Sequence, residues 1–261
     1  MMKCALTLFI FMASFAASAG DSPTESTVTG NVKEVILKTY KLRTKPYQLT
    51  DKNQPIDTSV SKYNEKHQLV AYMRKIDITG GADIGKEKDD SYWLVEIDKI
   101  INYDENGYPI TDKATSNSYD EEGRIISSVV KSEYEKTVKK YTYKENQKII
   151  ETLEFKNGNL TPTTGEFAPP KETITYDKSG RIERFDYDCE GCVDITYEYN
   201  EQGFVSKESF YRYDKLDHEV IFKYPKIDEH GNWLERLDIL TSHVSNNETA
   251  QMVVRQISYR D

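Results

Sequence analysis

The residues best placed by type and spacing to do chemistry are Cys189 and Cys192, a C-x-x-C inside "FDYDCEGCVDITYEYNEQGF". Three chemistries use that spacing: a thiol–disulfide redox pair, half of a zinc site, and a structural disulfide. A redox pair needs a thiolate stabilised by a helix N-terminus or by cations. These thiols instead lie among Asp186, Asp188, Glu190 and Asp194, which push the thiol pKa up. A zinc site needs two further ligands, and these must come from His67, His218, His230 and His243, none paired at ligand spacing. Turn residues three apart bring their Cα atoms within about 7 Å, inside disulfide range. The sequence therefore favours a local Cys189–Cys192 disulfide and no metal.

The second candidate is Asp228-Glu229-His230-Gly231-Asn232-Trp233, which sets carboxylates beside a histidine as an acid–base pair would be set. No nucleophile, metal cluster or oxyanion donor accompanies it at a readable spacing. Acidic pairs such as Asp89-Asp90 and Glu121-Glu122 read as solvated loop charges in a chain with 44 carboxylates. No catalytic residue and no cofactor is assigned, and the protein reads as non-enzymatic.

The bulk composition limits the partners. Lys3, the apolar run from Cys4 to Phe15 and the small residues Ala16-Ala17-Ser18-Ala19 form a secretory signal, with cleavage expected after Ala19. No other apolar stretch approaches membrane-spanning length. Residues 20–261 are then one exported domain, periplasmic or secreted, in a compartment that permits disulfides. Loss of Lys3 leaves 34 basic against 44 acidic side chains, a charge of about −10, which would repel nucleic acid. Nineteen tyrosines against five methionines point to strands with one buried and one solvated face.

The elements that must position these residues are announced by a repeated phrase: an aromatic, Asp or Asn, two polar residues, Gly, one residue, and usually an apolar one. It occurs as "YDENGYP" from Tyr103, "YDEEGRI" from Tyr119, "YDKSGRI" from Tyr176, "YDCEGCV" from Tyr187 and "YNEQGFV" from Tyr199. "IDEHGNW" from Ile227 has Ile in the aromatic place, and "YNEKHQL" from Tyr63 has His67 where Gly belongs; His is among the residues that tolerate positive φ. "YKENQKI" from Tyr143 and "YDKLDHE" from Tyr213 are weaker copies. The phrase is a hairpin loop of three residues closed by a left-handed residue. Applied to Tyr187, it sets that residue opposite Val193 and Phe185 opposite Ile195, placing Phe185, Tyr187, Val193, Ile195, Tyr197 and Tyr199 on one face. Ile182, opposite Tyr176 by the same logic, falls on the wrong parity, which a bulge or a strand covered on both sides would explain. "FKNGNL" from Phe155 adds a two-residue Asn-Gly hairpin, and residues 160–172 form a Pro/Gly/Thr loop. The fold class is all-β: an antiparallel meander of short hairpin repeats, curled or spiralled by native twist.

The phrases from Tyr103, Tyr119, Tyr176, Tyr187 and Tyr199 resemble the YD repeats of Rhs-type exported bacterial proteins, mainly over residues 100–235. The chain is far shorter than an Rhs shell and has no toxin-like extension, so encapsulation of a cargo is not implied. The resemblance implies a stacked-hairpin scaffold with no catalytic residues. The expected function is thus an exported, non-enzymatic β-repeat scaffold of the cell envelope whose partner is a protein or a glycan. The alternative is a carbohydrate-binding module using exposed tyrosines, with a hydrolase built on scattered carboxylates third.

Overall fold

Tight turns joining short alternating segments favour pairing each strand with the next, and the computed structural model of the protein does so over most of the sheet. It describes residues 28–42, 45, 47–50, 54–77, 93–100, 102–103, 109–110, 114–131, 133–160, 171–189 and 191–260. The signal segment at residues 1–19, the Asp89-Asp90 pair, most of the residue 160–172 loop and the turn after Tyr103 lie outside the described residues. The strands are β1 (Val32–Leu42), β2 (Asp57–Tyr63), β3 (Leu69–Asp77), β4 (Trp93–Ile100), β5 (Asn102–Tyr103), β6 (Pro109–Ile110), β7 (Ala114–Tyr119), β8 (Ile125–Lys131) and β9 (Glu135–Lys144). They continue as β10 (Gln147–Lys156), β11 (Asn159–Leu160), β12 (Lys171–Tyr176), β13 (Ile182–Asp188), β14 (Val193–Tyr199), β15 (Val205–Arg212), β16 (Lys215–Ile227), β17 (Trp233–Ser242) and β18 (Asn247–Tyr259).

One antiparallel sheet runs in the order β4-β3-β2-β1-β18-β17-β16-β15-β14-β13-β12-β10-β9-β8-β7, with β11 added to β10 and a separate β5–β6 hairpin. The first and last strands meet in mid-sheet, Val35 opposite Ile257 and Leu42 opposite Ala250. The edges β4 and β7 are not joined by a ladder, so the sheet is not closed. It is nonetheless curled. Fifteen strands about 4.8 Å apart would hold flat edges about 67 Å from one another. The chain between them cannot reach so far: β5 follows β4 after one residue, Asn102 pairs with Ile110, and four Cα steps lead on to Ala114, about 27 Å at full extension.

The phrase has one geometry at five places. Tyr63, Tyr119, Tyr176, Tyr199 and Ile227 face Leu69, Ile125, Ile182, Val205 and Trp233, and a register shift follows each pair. This shift is the answer to the parity of Ile182. Tyr176 faces Ile182 while Thr175 faces Arg184, so Glu183 is the extra residue of a β-bulge. In each loop the Asp or Asn side chain accepts backbone N–H groups ahead of it: Asp177 Oδ1 from Ser179 at 2.8 Å and Arg181 at 2.9 Å, Asp228 Oδ1 from His230 at 3.0 Å and Asn232 at 2.8 Å. His67 takes φ 60° in place of the usual glycine. Asn157 and Gly158 form the two-residue turn, at φ 51° and 80°.

Antiparallel order sorts the connections to two ends. The bulged Asp/Asn turns, the Val32 end of β1 and the Tyr259 end of β18 share one end, the turn end. The connections β1–β2, β3–β4, β8–β9, β10–β12, β13–β14, β15–β16 and β17–β18 share the other, the link end. Cys189-Cys192 is the β13–β14 connection, so the Tyr187 phrase lies at the end opposite the five bulged turns. Its geometry differs accordingly. Gly191 is left-handed at φ 75° as the phrase requires, but the ladder stops at Phe185–Ile195. The loop closes through Cys192 N–H to Cys189 C=O at 3.3 Å, and Tyr187 N–H is held by Asp194 Oδ1 at 3.0 Å.

One face of the sheet carries the core: Ile150, Ile174, Phe185, Ile195, Tyr197, Val205 and Phe222, with Tyr141, Tyr176, Tyr187, Tyr199 and Tyr224 packed against them. Burial raises the hydroxyl pKa values of Tyr187, Tyr199 and Tyr224 to about 12. The hydroxyls of Tyr199 and Tyr224, like that of Tyr143, still find partners. Tyr143, Tyr199 and Tyr224 donate to the carbonyls of Ile125, Ile182 and Val205 at 3.1, 2.6 and 2.6 Å, the first strand residue after the turn in each case. The residue before that carbonyl covers the same ring: Arg124 over Tyr143 at 4.6 Å, Arg181 over Tyr199 at 4.3 Å, and Phe204 beside Tyr224 at 4.8 Å. A tyrosine on the next strand thus locks each of these three turns.

Candidate functional site

The cysteines are brought together by the β13–β14 connection, with Cα atoms 5.5 Å apart, at disulfide distance. A Cβ on Gly191 would lie 3.2 Å from the Tyr213 hydroxyl, so the β15–β16 turn sits beside this loop.

The Asp228–Trp233 stretch builds a clamp. Asp228 Oδ1 caps its own turn, while Oδ2 accepts the Tyr259 hydroxyl. Burial pushes the Asp228 carboxyl up, but the Tyr259 hydroxyl and the Asn232 and His230 N–H groups outweigh it and hold the pKa below the ordinary value. Asn232 is 3% exposed. It accepts Thr29 N–H at 2.7 Å, donates to Thr29 C=O at 2.9 Å and donates to Tyr259 Oη at 2.8 Å. The His230 ring lies against Tyr259, centroids 4.3 Å apart. These groups join the start of β1 to the end of β18. Glu121 and Glu122 are solvated turn residues. Among the described residues no group of three His, Cys, Asp or Glu could hold a metal ion.

The face that carries the core also holds charges that no motif announced. Glu208 faces Tyr197 across β14–β15 and Val220 across β15–β16. Asp238 faces Phe222 and Gln251. Arg236 and Asp238, 12% and 5% exposed, pair through Nε–Oδ1 at 2.7 Å and Nη2–Oδ2 at 2.9 Å, and Gln251 donates to Asp238 Oδ2 at 3.0 Å. Trp233, 2% exposed, lies between two guanidinium groups, Arg255 at 3.6 Å and Arg236 at 5.1 Å. Burial raises the Glu208 carboxyl to about 7, Arg236 pulling it down and Asp238 pushing it up. Chemically the cluster is a satisfied ion pair beside one carboxylate that can hold a proton at neutral pH. Its residues were missed because the bulge between Glu198 and Tyr199 reverses the parity on which Glu208 would be read as inward.

The opposite face has a second apolar cluster. Leu42, Ala250 and Met252 are buried with Tyr40, Leu237, Ile239, Val254 and Tyr47 packed on them. Tyr47 crosses from the β1–β2 link and donates to Glu248 at 2.7 Å, where Lys45 also pairs at 2.8 Å. An open groove of about 660 Å³ lies beneath it, lined by Leu49, Lys223, Glu235, Leu237 and Met252 among others. Over β13–β15 this face is polar and charged: Asp194, Thr196 and Glu198 on β14, Arg184 and Asp186 on β13, Lys207 on β15.

No protein-family model matches the chain, and no curated protein matches it. Among solved structures it is similar to a porin-like protein from Bacteroides uniformis, with TM-score 0.50 and 12% identity over 89% of this chain and 100% of that one. A structure of TcdB2-TccC3-TEV matches 82% of this chain and 16% of that one at 11% identity, with a TM-score of 0.20. The likeness at this identity is one of fold: an all-β chain whose antiparallel strands follow one another in a single meander sheet that is not closed.

Proposed function

We propose that the protein is an exported, non-enzymatic scaffold of the cell envelope, built from tyrosine-locked hairpins of the YD type. The observation that carries this reading is the use made of the tyrosines. The Tyr143, Tyr199 and Tyr224 hydroxyls are bonded to backbone carbonyls and Tyr197 is buried, so the aromatic face serves the fold and is withdrawn from ligands. A carbohydrate platform needs several coplanar exposed rings. The two most exposed tyrosines described, Tyr134 and Tyr213, lie in connections six strands apart, about 29 Å along the sheet. The apolar leader and a cysteine pair at disulfide distance support an oxidising compartment outside the cytoplasm.

A membrane channel, which the porin-like neighbour brings to mind, fits less well. A transmembrane barrel turns an apolar band outward and a polar surface inward. Here the buried face is the aromatic one, and Asp194, Glu198, Arg184, Asp186 and Lys207 share the other. The test is crosslinking of the tagged protein in its native envelope, followed by mass spectrometry. One enriched protein partner supports the scaffold. Enrichment of glycan fragments with no protein would shift the function to the carbohydrate-binding reading.

A further inference from the structure

A hairpin between neighbouring strands needs about two to five residues, yet β1 and β2, which pair from Glu34–Lys62 to Thr39–Asp57, are joined by residues 43–56. The connection first leads away from β2. Lys45 and Tyr47 reach to the other side of β1, where they hold Glu248 of β18 at 2.8 and 2.7 Å, and Tyr47 packs on Leu42, Ala250 and Met252. Leu49 extends the same wall to a hollow that it shares with Leu237 of β17 and Lys223 of β16. The chain then returns, and Ile56 N–H bonds to Thr39 C=O at 2.8 Å. Long connections in compact sheets are mostly functional. This one walls a trough.

The trough consists of two adjoining hollows of about 660 and 370 Å³ that share Glu235. The first has apolar walls in Tyr47, Leu49, Pro225, Leu237 and Met252, and the second continues past Val254 to Gln256, about 13 Å along β18 from Met252. Hollows of this volume hold small molecules, and the length suits a chain better than a compact ring. The charge on the trough is set by a bulge in β16. Lys223 faces Leu237 and Lys226 faces Glu235, so Tyr224 and Pro225 together oppose Arg236. Leu237 and Glu235 share a face by alternation. The bulge therefore sets two lysines three residues apart on that face, where a regular strand would place only one of them. Lys223 lines the first hollow and Lys226 the second, and neither enters an ion pair among the described residues. Of the two carboxylates in the lining, Asp228 is committed to its turn and to Tyr259. Glu235 is left against both lysines, a local excess of positive charge in a chain of net charge −9.

We propose that this trough binds a single-chain anionic amphiphile of the class of a long-chain fatty acid. The acyl chain lies under Tyr47 and Leu49 against Leu237 and Met252, and the carboxylate meets Lys223 and Lys226. Burial of the chain supplies most of the affinity, and the lysines select the charged head. The site is on the face opposite the tyrosine core, so it makes no demand on the rings that lock the turns. It goes beyond the scaffold reading and does not rest on it.

The experiment is displacement of a fluorescent probe from the purified mature chain: anionic 1-anilinonaphthalene-8-sulfonate, titrated out by palmitate below its micelle-forming concentration. The expected result is that the probe binds and palmitate displaces it. Leu237→Glu, which sets a carboxylate among the apolar walls, should weaken palmitate at least about tenfold. That variant can disturb the sheet, so the combined Lys223→Glu and Lys226→Glu variant, which changes exposed side chains only, decides the matter. It should weaken palmitate about fivefold or more and leave binding of the uncharged probe N-phenyl-1-naphthylamine unchanged. Lys66→Glu, at an exposed position in the turn after Tyr63, should bind palmitate like the wild type. Absence of displacement overturns the proposal, as does a palmitate affinity that the lysine variant keeps or that Lys66→Glu lowers equally. Self-association of a wild type that binds no palmitate would give the trough to a second copy and overturn it too. Capture of a protein by crosslinking neither requires nor excludes palmitate binding, so failure in this assay leaves the scaffold test standing.

Discussion

The Tyr199 hydroxyl donates to the Ile182 carbonyl at 2.6 Å, reaching back 17 residues from β14 to the neighbouring β13 and the first residue after the Asp177 turn, while Arg181 covers the ring at 4.3 Å. Tyr224 repeats the contact on Val205 at 2.6 Å. Both rings are packed on the core, so a phenylalanine fills the same volume and removes only the hydrogen bond. Tyr199→Phe and Tyr224→Phe should each cost about 1 kcal/mol. Urea unfolding checks this. A cost below experimental error for both would show that the carbonyls are equally well served by water.

The turns differ in the residue that takes the left-handed position, and this gives a paired test. A Cβ on Gly180 or Gly203 would meet nothing within 4 Å, yet their φ values are 76° and 84°. Gly180→Ala and Gly203→Ala should therefore destabilise by about 1 kcal/mol through backbone strain alone. His67, at φ 60°, should show the reverse, with His67→Gly neutral or stabilising by a few tenths of a kcal/mol. Thermal denaturation of the three variants separates strain from lost contacts, and equal destabilisation by all three would refute the equivalence of the loops.

Glu208 makes the protein's stability fall with pH in a defined window. Burial raises its folded-state pKa to about 7, against an ordinary value near 4.3 in the unfolded chain. Between these values the folded state binds the proton and the unfolded state does not, so stability decreases as pH rises through the window and levels off above about 7. The groups around it are Tyr197 on β14, Arg236 and Asp238 on β17, and Tyr224 on β16. Glu208→Gln should remove up to about 3 kcal/mol of this dependence, with little effect at pH 4 and a gain at pH 8. Parallel stability curves for variant and wild type across that range would sink the assignment.

The Cys189–Cys192 pair should show no free thiol when the mature protein is alkylated under denaturing conditions. The loop it closes is so short that reduction should cost only about 2 kcal/mol or less. Two alkylated thiols would remove the staple and, with it, one support for the oxidising compartment.

How much of this was legible from sequence depended on whether the information was local. The turns were, because Asp177 and Gly180 sit at fixed offsets whose backbone consequences are independent of the rest of the chain. The positive φ of His67 and the pairings of Tyr176 with Ile182 and Phe185 with Ile195 follow from that. The bulge was visible only as a parity conflict at Ile182, and pairing alone decides between a bulge and a strand covered on both faces. The Tyr187 phrase misled in one respect. Its 11-residue spacing from Tyr176 is one strand, which carries it to the opposite end, where no bulged Asp turn forms. Nothing local pairs β1 with β18 or sets Glu208 beside Arg236, because both depend on register summed over several strands.

The clamp between the chain ends offers the sharpest test of the mid-sheet pairing. Asn232 bonds both Thr29 N–H and Thr29 C=O and also Tyr259 Oη, so it holds the start of β1 and the end of β18 to one turn. Asn232→Ala leaves the Thr29 amide and the Tyr259–Asp228 pair without their common partner. A loss of about 2–3 kcal/mol is expected. If the clamp acts as a unit, Asn232→Ala and Tyr259→Phe should be non-additive, with a coupling of about 1 kcal/mol. Hydrogen exchange should then accelerate first along β1 and β18 and leave β13–β15 protected, because the core of the sheet does not pass through this turn. Uniform acceleration along every strand would mean that the ends are not the weak joint and that the sheet opens as one unit.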